Sequence, residues 1–448
     1  MAQAQLTEAS PVGNQAEANL ALWQQRPLRV LQIHNFYQQI GGEDVVVRHE
    51  AQLLQQAGVS LFCWYVQSKD IQPAGIWHKI RLALNLLWNR QAQQQLQQRL
   101  AQEPVDLIHV HNSFPLLSPA IMHRAKQLGI PVVMTVHNFR MLHPRGFFIQ
   151  QDFSADELRA QAGAGEASVS TPLPVRRFRA GFALRYLGQP WYRASRSLTC
   201  WLVLFIELHK LLGSLRWCQQ LICPSAFVKN LLTDAGLAPE QLRLKPHSMA
   251  LPAAICKTTP GHYVLFVGRA DPAKGLLVLL QAWQHLDYPL WLVGVDEADV
   301  ATWPGYQPAA QVKFLGFQPP AALADIYRQA AFLVVPSLCA ETFGNVVVEA
   351  FAQGTPGVVS ALGALPELVN ASAPSAADTD DRCGLTFMPG NADDLRRQCQ
   401  QLLSQPAWLA ELSVNAFARY QQRYLPSDNQ QALLRCYQDV LASHAAIV

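Results

Sequence analysis

The sequence predicts an α/β protein with two Rossmann-like domains, each a parallel β-sheet flanked by helices. Two observations lead to this expectation. The 448 residues exceed the length at which one hydrophobic core stops growing, so two domains are expected. From Leu28 onward, short apolar runs alternate with amphipathic stretches, a pattern typical of βα units.

The first domain is expected at residues 27–246, after a polar tail at residues 1–26 that is rich in Gln and Ala. Helices are predicted at Val45–Ala57 and Ser225–Ala235. Ligands of such sheets bind at the carboxyl ends of the strands, so the loops that follow the strands are the places to look for functional residues. Strands are predicted where apolar runs end in a polar loop: Arg29–His34, Leu61–Val66, Leu107–Val110, Val132–Val136 and Leu221–Pro224.

Two segments interrupt this alternation. Residues 152–196 combine Gly, Ala, Ser and Pro with an Arg-rich aromatic stretch, which indicates an insertion in the first domain. The apolar run Leu198–Leu212 contains charged residues and is too short to span a bilayer, so a buried helix is predicted there. Residues 247–262 show little periodicity, and we interpret them as the interdomain linker.

The second domain is expected at residues 263–420, where the alternation resumes. Residues 421–448 are expected to form a C-terminal helix that packs back on the first domain. The chain is helical by pattern from Asp393 to Ser443, with interruptions at Pro406 and Pro426. Predicted strands of the second sheet are Tyr263–Val267, Leu290–Val293, Val312–Leu315, Phe332–Val335 and Pro356–Val359.

Composition argues against several functions. Charged residues make up 15% and the formal net charge is +3, so no nucleic-acid partner is expected. The nine cysteines include no CxxC pair, so no zinc site is expected and we interpret them as reduced core residues. The first 26 residues contain no apolar run of the signal-peptide type, so a cytoplasmic protein is expected.

Two cations follow the first strand of the second domain. Arg269 comes directly after Gly268, and Lys274 ends the turn before the next helix. A strand-to-helix turn with two cations suits a diphosphate, whose negative charge grows as a sugar–phosphate bond breaks. Two solvated cations near a turn are the alternative interpretation.

A second candidate turn follows the strand Phe332–Val335. It contains Glu341 and leads into a helix that opens near Gly344, where unpaired N–H groups and the helix dipole favour a phosphate. Glu349 lies in this otherwise apolar helix, and an unpaired buried carboxylate would be costly. Binding of a donor substrate explains this glutamate. Pairing with a core arginine or a backbone amide is the alternative.

Glu341 and Glu349 are separated by seven residues, and this spacing resembles the E-x7-E motif of the family 4 glycosyltransferases of the GT-B fold. The resemblance covers most of the chain. It implies two Rossmann-like domains that face an interdomain cleft, with the acceptor on the first domain and the nucleotide sugar on the second. It also implies that Arg269 and Lys274 bind the diphosphate and that the reaction retains the anomeric configuration.

The resemblance further implies roles for individual residues. Glu341 would contact hydroxyls of the transferred sugar, and Glu349 would accept hydrogen bonds from the nucleotide ribose. Backbone amides of Phe343, Gly344 and Asn345 would bind phosphate, and the base would pack near Phe317. The catalytic residues implied in this way are Glu341, His137, Arg269 and Lys274.

Two loops of the first domain complete the candidate site. The pair Gly41 and Gly42 would let the backbone approach a sugar or phosphate closely, although a tight turn is the commonest use of such a pair. His137, in TVHNF, would face the donor, and a hydrogen-bonded core histidine is the alternative. Three acceptor-side candidates end an earlier strand and could line the same cleft: His109, His111 and Asn112.

The expected substrates are a nucleotide-diphosphate sugar, with UDP rather than GDP, and a saccharide or lipid-linked acceptor. No cofactor and no metal ion are expected, because Arg269 and Lys274 could replace the charge of a divalent cation. Residues 176–196 alternate arginines with aromatic residues. This suits a peripheral contact with the inner face of the membrane or with a lipid-linked acceptor, whereas a solvated surface is the alternative.

Two other functions remain open. A catalytically silent GT-B protein could act as a scaffold or a regulatory subunit, although it would be expected to lose the motif residues. A nicotinamide-dependent oxidoreductase also uses Rossmann-like domains, but HNFYQQIGGED stands where that class has G-x-G-x-x-G. The chain also departs from the family at Pro246-His247-Ser248, where many members carry Asn-Gly, so the linker geometry is open.

Overall fold

Two parallel β-sheets organise the chain, as the sequence predicts. The computed structural model describes residues 26–37, 41–70, 75–152, 181–190, 192, 194–249, 261–307, 309–370 and 381–445. Within these residues each sheet has six strands. The tail at residues 1–25, most of the expected insertion and residues 250–260 of the expected linker lie outside the described part.

The first sheet has the strand order β2-β1-β3-β4-β5-β6. Pairs from β2 to β5 are parallel. The five predicted strands are confirmed, and β6 is an addition whose three residues are too few to show a pattern. The strands are β1 (Arg29–Phe36), β2 (Ser60–Gln67), β3 (Leu107–Val110), β4 (Val132–Thr135), β5 (Gln220–Cys223) and β6 (Leu242–Leu244).

Helices connect these strands. The helix predicted at Val45–Ala57 begins earlier, at Gly42, because the Asp44 carboxylate accepts a hydrogen bond from the N–H of Gly41 (2.7 Å) and supports the first turn. The helices are α1 (Gly42–Gln56), α2 (Ile76–Leu87), α3 (Arg90–Gln102), α4 (Ala120–Gln127), α5 (Arg196–Leu211) and α6 (Ala226–Asp234).

Helix α5 corrects the prediction of a buried helix. Leu202 and Phe205 are buried, whereas Leu198 and Leu204 are exposed, so only one face of α5 packs on the protein. Within the described part of the chain, no helix combines the length and the apolar character that crossing a membrane requires. The interpretation of the cysteines as core residues is also wrong for Cys63, which is exposed.

The second sheet has the order β12-β11-β10-β7-β8-β9. Its five predicted strands are confirmed, and β12 is an addition. The strands are β7 (Tyr263–Val267), β8 (Leu290–Val293), β9 (Val312–Gly316), β10 (Ala330–Val335), β11 (Gly357–Ser360) and β12 (Gly384–Phe387). The helices are α7 (Leu276–Trp283), α8 (Glu297–Val300), α9 (Pro320–Gln329), α10 (Asn345–Phe351), α11 (Leu365–Val369), α12 (Ala392–Leu403), α13 (Pro406–Arg423) and α14 (Pro426–Ala445).

The chain divides into two compact units. The first comprises Met1–Thr135, Leu208–Ile222 and Gln430–Val448, and the second comprises Val136–Glu207 and Cys223–Asn429. In the first unit, Leu433 and Tyr437 of α14 belong to the same apolar core as the first sheet. In the second unit, strands β7 and β10 share a core with helix α7. The loop after β4, which contains His137, thus belongs to the same unit as the second sheet.

Candidate functional site at the carboxyl edge of the second sheet

The strand order of the second sheet reverses at β7. Strands β8 and β9 lie on one side of it, and β10, β11 and β12 lie on the other. Strands β7 and β10 are parallel neighbours, so their carboxyl ends lie side by side while the following chain leaves in opposite directions. Ligands of open α/β sheets bind at such a switch point.

The loop after β7 is held tightly. Asp271 accepts a hydrogen bond from the N–H of Ala273 (2.9 Å) and caps the single turn Pro272–Lys274. Gly275 follows with a φ of 70°, and a Cβ atom there would lie 1.8 Å from the carbonyl oxygen of Pro336. This contact requires glycine, so the loop after β7 lies directly against the loop after β10.

Lys274 and Glu341 form an ion pair where these two loops meet. The Nζ atom of Lys274 lies 2.7 Å from Oε1 of Glu341. The same oxygen accepts a hydrogen bond from the hydroxyl of Ser337 (2.7 Å). The two side chains of the pair are 31% and 20% exposed, so both are within reach of a ligand from solvent.

Burial and ion pairing act in opposite directions on this pair. Burial lowers the pKa of Lys274, but the negative charge of Glu341 outweighs burial, so the pKa is raised. Burial raises the pKa of Glu341, but Lys274 and the hydroxyl of Ser337 outweigh it, so that pKa is lowered. Both groups are therefore ionised at neutral pH.

Arg269 and Gly268 join the ion pair at the switch point. Arg269 is exposed, and its positive charge lowers the pKa of Lys274, which is the smallest of the effects on that group. The N–H of Gly268 donates to the carbonyl of Val293 (3.0 Å), so the backbone at the end of β7 is fixed. Lys274 of the predicted cation pair is thus brought together with Glu341, a partner that the sequence analysis did not predict.

Glu349 has a tyrosine as its partner. The hydroxyl of Tyr327 donates to Oε2 of Glu349 (2.7 Å). Tyr327 is fully buried, whereas Glu349 is half-buried. Burial raises the pKa of Glu349, and the hydrogen bond from Tyr327 offsets only part of that effect. This partner is neither the core arginine nor the backbone amide considered above, and it stabilises the carboxylate without neutralising its charge.

The residues between the two glutamates lead into helix α10. Phe343 is buried, so its ring belongs to the core and only its backbone can serve a ligand. Gly344, with a φ of 122°, is the N-cap residue, and Asn345 is the first residue of the helix. Phosphate binding by their amides stays a prediction.

The segment that contains Gly363 and Glu367, to which the sequence gives no firm role, supports this loop. Gly363 has a φ of 68°, and a Cβ atom there would lie 2.6 Å from the backbone nitrogen of Glu341. The carboxylate of Glu367 accepts hydrogen bonds from the first two N–H groups of α6 (3.1 and 3.2 Å). Gly363 therefore positions the backbone of Glu341, and Glu367 caps a helix.

His137 lies against the loop that contains Glu341. Its carbonyl accepts a hydrogen bond from the hydroxyl of Thr342 (3.0 Å). The imidazole of His137 stacks on that of His247, with ring centroids 5.2 Å apart and planes 20° apart. His137 is half-buried, so its ring is neither a fully buried core group nor a freely solvated one.

Phe317 lies farther along the sheet. It follows β9, the outermost strand, which is two strand positions from β7. Its side chain is 83% exposed, so the ring is available for stacking. Contact between Phe317 and a nucleotide base stays a prediction.

The glycine pair of the first unit lies between β1 and α1. Gly41 has a φ of −116° and a ψ of 175°, a conformation that any residue can adopt. The nearest atom to an added Cβ would be Oδ2 of Asp44, at 3.9 Å. The described surroundings of Gly41 therefore do not require glycine, and a ligand contact of Gly41 and Gly42 stays a prediction.

The acceptor-side candidates of the first unit are core residues. His109, His111 and Asn112 are 0%, 1% and 4% exposed. The ring nitrogens of His109 are hydrogen-bonded to the hydroxyls of Tyr437 (2.7 Å) and Thr135 (2.8 Å). The prediction that these residues line a ligand site is therefore wrong, because solvent barely reaches them.

The Arg-rich stretch at residues 176–196 is described only in part. Arg176, Arg177, Arg179 and Arg193 lie outside the described residues. Within it, Arg185 and Leu187 are exposed. A membrane contact through this stretch stays a prediction.

Two family models match the chain. The model "Glycosyltransferase Family 4" matches residues 40–169, and the model "Glycosyl transferases group 1" matches residues 261–405. A D-inositol 3-phosphate glycosyltransferase of Rhodococcus erythropolis is 30% identical over 203 residues, which cover 41% of this chain and 43% of that protein. The chain thus spans less than half the length of this curated relative.

Solved structures resemble the whole fold. Sucrose-phosphate synthase from Thermosynechococcus elongatus superimposes with a TM-score of 0.62 at 20% identity, over 93% of this chain and 100% of that chain. HepE from Anabaena, solved in complex with UDP, superimposes with a TM-score of 0.57 at 15% identity, over 92% and 100%. At these identities the likeness shows the fold alone.

Proposed function

The chain belongs to the family 4 glycosyltransferases and has the GT-B fold, and on this premise we propose that it transfers a sugar, with retention, from a nucleotide-diphosphate sugar to a saccharide or lipid-linked acceptor. One observation carries the proposal. At the switch point of the second sheet, the Lys274–Glu341 ion pair joins the loops after β7 and β10, and Arg269 follows β7 in the same loop as Lys274, so two cations and a carboxylate come from neighbouring strand ends.

The two cations suit the chemistry of the leaving group. An acceptor hydroxyl oxygen bonds to the anomeric carbon as the bond from that carbon to the diphosphate oxygen breaks. The hydroxyl proton passes to an oxygen of the departing diphosphate, on the same face of the sugar. Negative charge grows on the distal phosphate during this step, so Arg269 and Lys274 bind the transition state more strongly than the ground state. Their positive charge would let the reaction proceed without a divalent metal ion.

The two glutamates suit different parts of the donor. Glu341, at the carboxyl edge of β10, is placed for hydroxyls of the transferred sugar. Glu349 lies eight residues farther along the chain, in helix α10, where its hydrogen-bond partner is the uncharged hydroxyl of Tyr327. Two ribose hydroxyls would give that carboxylate the additional donors that it lacks in a half-buried position. His137 would face the donor, and Gly41 and Gly42 would approach it with their backbone.

UDP is the proposed nucleotide. Anabaena HepE, which shares the fold, was solved with UDP, and this supports a uridine donor here. The exposed ring of Phe317 offers a flat surface for the base. The acceptor is proposed to be met at the inner face of the membrane or in the cytoplasm, with residues 176–196 as the contact.

Donor hydrolysis tests the proposal without knowledge of the acceptor. The purified chain is incubated with UDP- and GDP-sugars, with and without EDTA, and released nucleotide and the anomer of the product are followed by NMR. We expect slow hydrolysis of a UDP-sugar that survives EDTA. The control variant Arg397→Met removes an exposed cation of α12 that is paired only locally with Asp394.

Thermal unfolding with added nucleotides separates the alternatives. UDP should raise the melting temperature more than GDP or NAD does, because ligand binding to the native state stabilises it. Protection by NAD alone would favour an oxidoreductase. Protection by UDP without turnover of any nucleotide sugar would favour a catalytically silent protein.

A further inference from the structure

We propose that His247 is a positioning residue for the transfer reaction, whose ring keeps His137 and the loop of Glu341 in one arrangement. The catalytic part of this inference rests on the proposed function. The structural part, that the ring of His247 fixes the ring of His137, has a readout of its own.

The backbone that leads to His247 is anchored at the two preceding residues. The N–H of Lys245 donates to the carbonyl of Cys223 at the end of β5 (2.9 Å). The Nζ atom of Lys245 donates to the side-chain oxygen of Asn429 (3.0 Å), and the side-chain nitrogen of Asn429 donates to the carbonyl of Pro246 (2.5 Å). Lys245 and His247 are 2% and 3% exposed, so the segment is buried as well as bonded. His247 therefore starts from a fixed support.

The ring of His247 connects two loops of the candidate site. It stacks on His137 at 5.2 Å with a 20° angle between the planes. It also meets the ring of Phe343 edge to face, at 5.2 Å and 77°. Phe343 in turn contacts Tyr424 at the end of α13 (5.9 Å, 73°). The result is a column of four rings in the second unit. The two rings that contact His247 belong to His137 and Phe343, and both residues have proposed roles toward the donor.

A backbone contact closes this arrangement. The hydroxyl of Thr342 donates to the carbonyl of His137 (3.0 Å), and the hydroxyl of Ser225 donates to the carbonyl of Thr342 (2.7 Å). Thr342 directly follows Glu341. His137 is thus held through its carbonyl by Thr342 and through its ring by His247, so a change at position 247 reaches Glu341 along two short routes.

The stacked geometry explains why a planar ring stands at this position. Two nearly parallel rings hinder rotation of His137 about its χ2 angle, which one hydrogen bond to its carbonyl does not restrict. Transfer depends on geometry to within about 1 Å, and loss of such a constraint can cost up to about a hundredfold in rate.

The test compares His247→Ala, which removes the ring, with His247→Phe, which keeps a planar ring of similar size. Phe387→Ala is the matched control, because it removes another buried ring of the second unit, in the core of the second sheet. Turnover at saturating donor, UDP affinity and thermal stability are measured for each folded variant. We expect His247→Ala to lose about tenfold or more in turnover with UDP affinity nearly unchanged, and His247→Phe to recover most of the loss.

NMR of the histidine rings supplies the readout that does not depend on activity. In His247→Ala the ring of His137 should sample additional χ2 angles, which changes the NOEs between that ring and its remaining neighbours in the ligand-free protein, whereas Phe387→Ala should leave these NOEs unchanged. Unchanged NOEs of the His137 ring in His247→Ala overturn the inference even if the wild-type protein is active. So does unchanged turnover in His247→Ala, an equal loss in Phe387→Ala, or no recovery in His247→Phe. If the wild type transfers no sugar but the His137 NOEs change, the proposed function fails and the positioning by His247 stands.

Discussion

Replacing Lys274 by methionine tests the ion pair and the diphosphate clamp together. Methionine keeps a flexible apolar side chain but removes the ammonium group. In the structure this leaves Oε1 of Glu341 with the hydroxyl of Ser337 and without its cation at 2.7 Å. We therefore expect two separable effects, one on catalysis and one on folding.

The catalytic effect follows from the charge that grows on the leaving diphosphate. By comparison with removal of one donor from an oxyanion site, loss of one of the two cations should cost about 3 kcal/mol, or on the order of a hundredfold in turnover. Arg269→Ala should cost a similar amount. Arg269→Lys should restore only part of it, because lysine keeps the charge but loses the planar fork that can hold two oxygens.

The folding effect follows from the exposure of the pair. Side chains that are 31% and 20% exposed lie between a surface ion pair and a buried one, so we expect a loss of about 1–2 kcal/mol. The pKa of Glu341 is lowered, so this stabilisation is present above its ordinary pKa of 4.5 and is lost as the pH falls through the folded-state pKa. The pKa of Lys274 is raised, so the stabilisation is also present below the ordinary lysine pKa of 10.5. It is lost as the pH rises through the raised pKa of the folded state.

The assay is a double-mutant cycle with Lys274→Met, Glu341→Gln and the double variant. Denaturant unfolding is measured at neutral pH and again in acid below the ordinary pKa of Glu341, and donor turnover is measured with EDTA present. The stability difference between wild type and Lys274→Met should shrink in acid. If Lys274→Met keeps turnover within about threefold of wild type, Lys274 does not stabilise the leaving group. If the cycle gives no coupling in stability at neutral pH, the pair adds nothing to folding.

Three further changes test other parts of the site. Glu341→Ala should mainly lower turnover and Glu349→Ala should mainly weaken UDP binding, and equal losses of UDP affinity in both would contradict these roles. Glu349→Gln should stabilise the fold by about 1 kcal/mol at neutral pH, because burial raises the pKa of Glu349 and so removes stability as the pH rises through that raised value. An unaltered pH dependence of unfolding in this variant would contradict the pKa assignment. Gly363→Ala should lower turnover about tenfold by displacing Glu341, whereas Gly305→Ala, with a similar positive φ but open space around it, should not, and equal activity of the two would refute the displacement.

Most of the fold could be predicted from the sequence because local patterns determine it. Apolar runs and turn residues locate ten of the twelve described strands to within a few residues. These are β1 to β5 and β7 to β11. The exceptions have local causes. Strand β6 has three residues, and β12 opens on Gly384 and follows residues without an apolar rhythm. The exposed face of α5 was missed because the apolar run Leu198–Leu212 is continuous enough to resemble a core helix.

Of the candidate site, only the residues that follow the ends of strands could be predicted from the sequence. Arg269, Lys274 and Glu341 lie at neighbouring carboxyl ends, and the parallel βα pattern brings such ends together. Partner choice is different, because it depends on contacts between distant segments. Nothing in the sequence pairs Tyr327 with Glu349 or His247 with His137. His111 follows a strand end much as Arg269 does, yet it is buried.

The ion pair also bears on how the proposed site would respond to its ligand. A half-buried lysine is stabilised by an anion beside it. For Lys274 this anion is Glu341, whose Oε1 lies 2.7 Å from the lysine Nζ atom. A diphosphate can take over that role, since it offers Lys274 and Arg269 more negative charge than one carboxylate does. Glu341 then loses its cation, and sugar hydroxyls are the donors that can replace it. A nucleotide alone would compensate only Lys274, whereas a nucleotide sugar would compensate both partners. In the proposed site, recognition of the diphosphate would therefore be coupled to recognition of the sugar through one pair of side chains, whose loops already lie against each other.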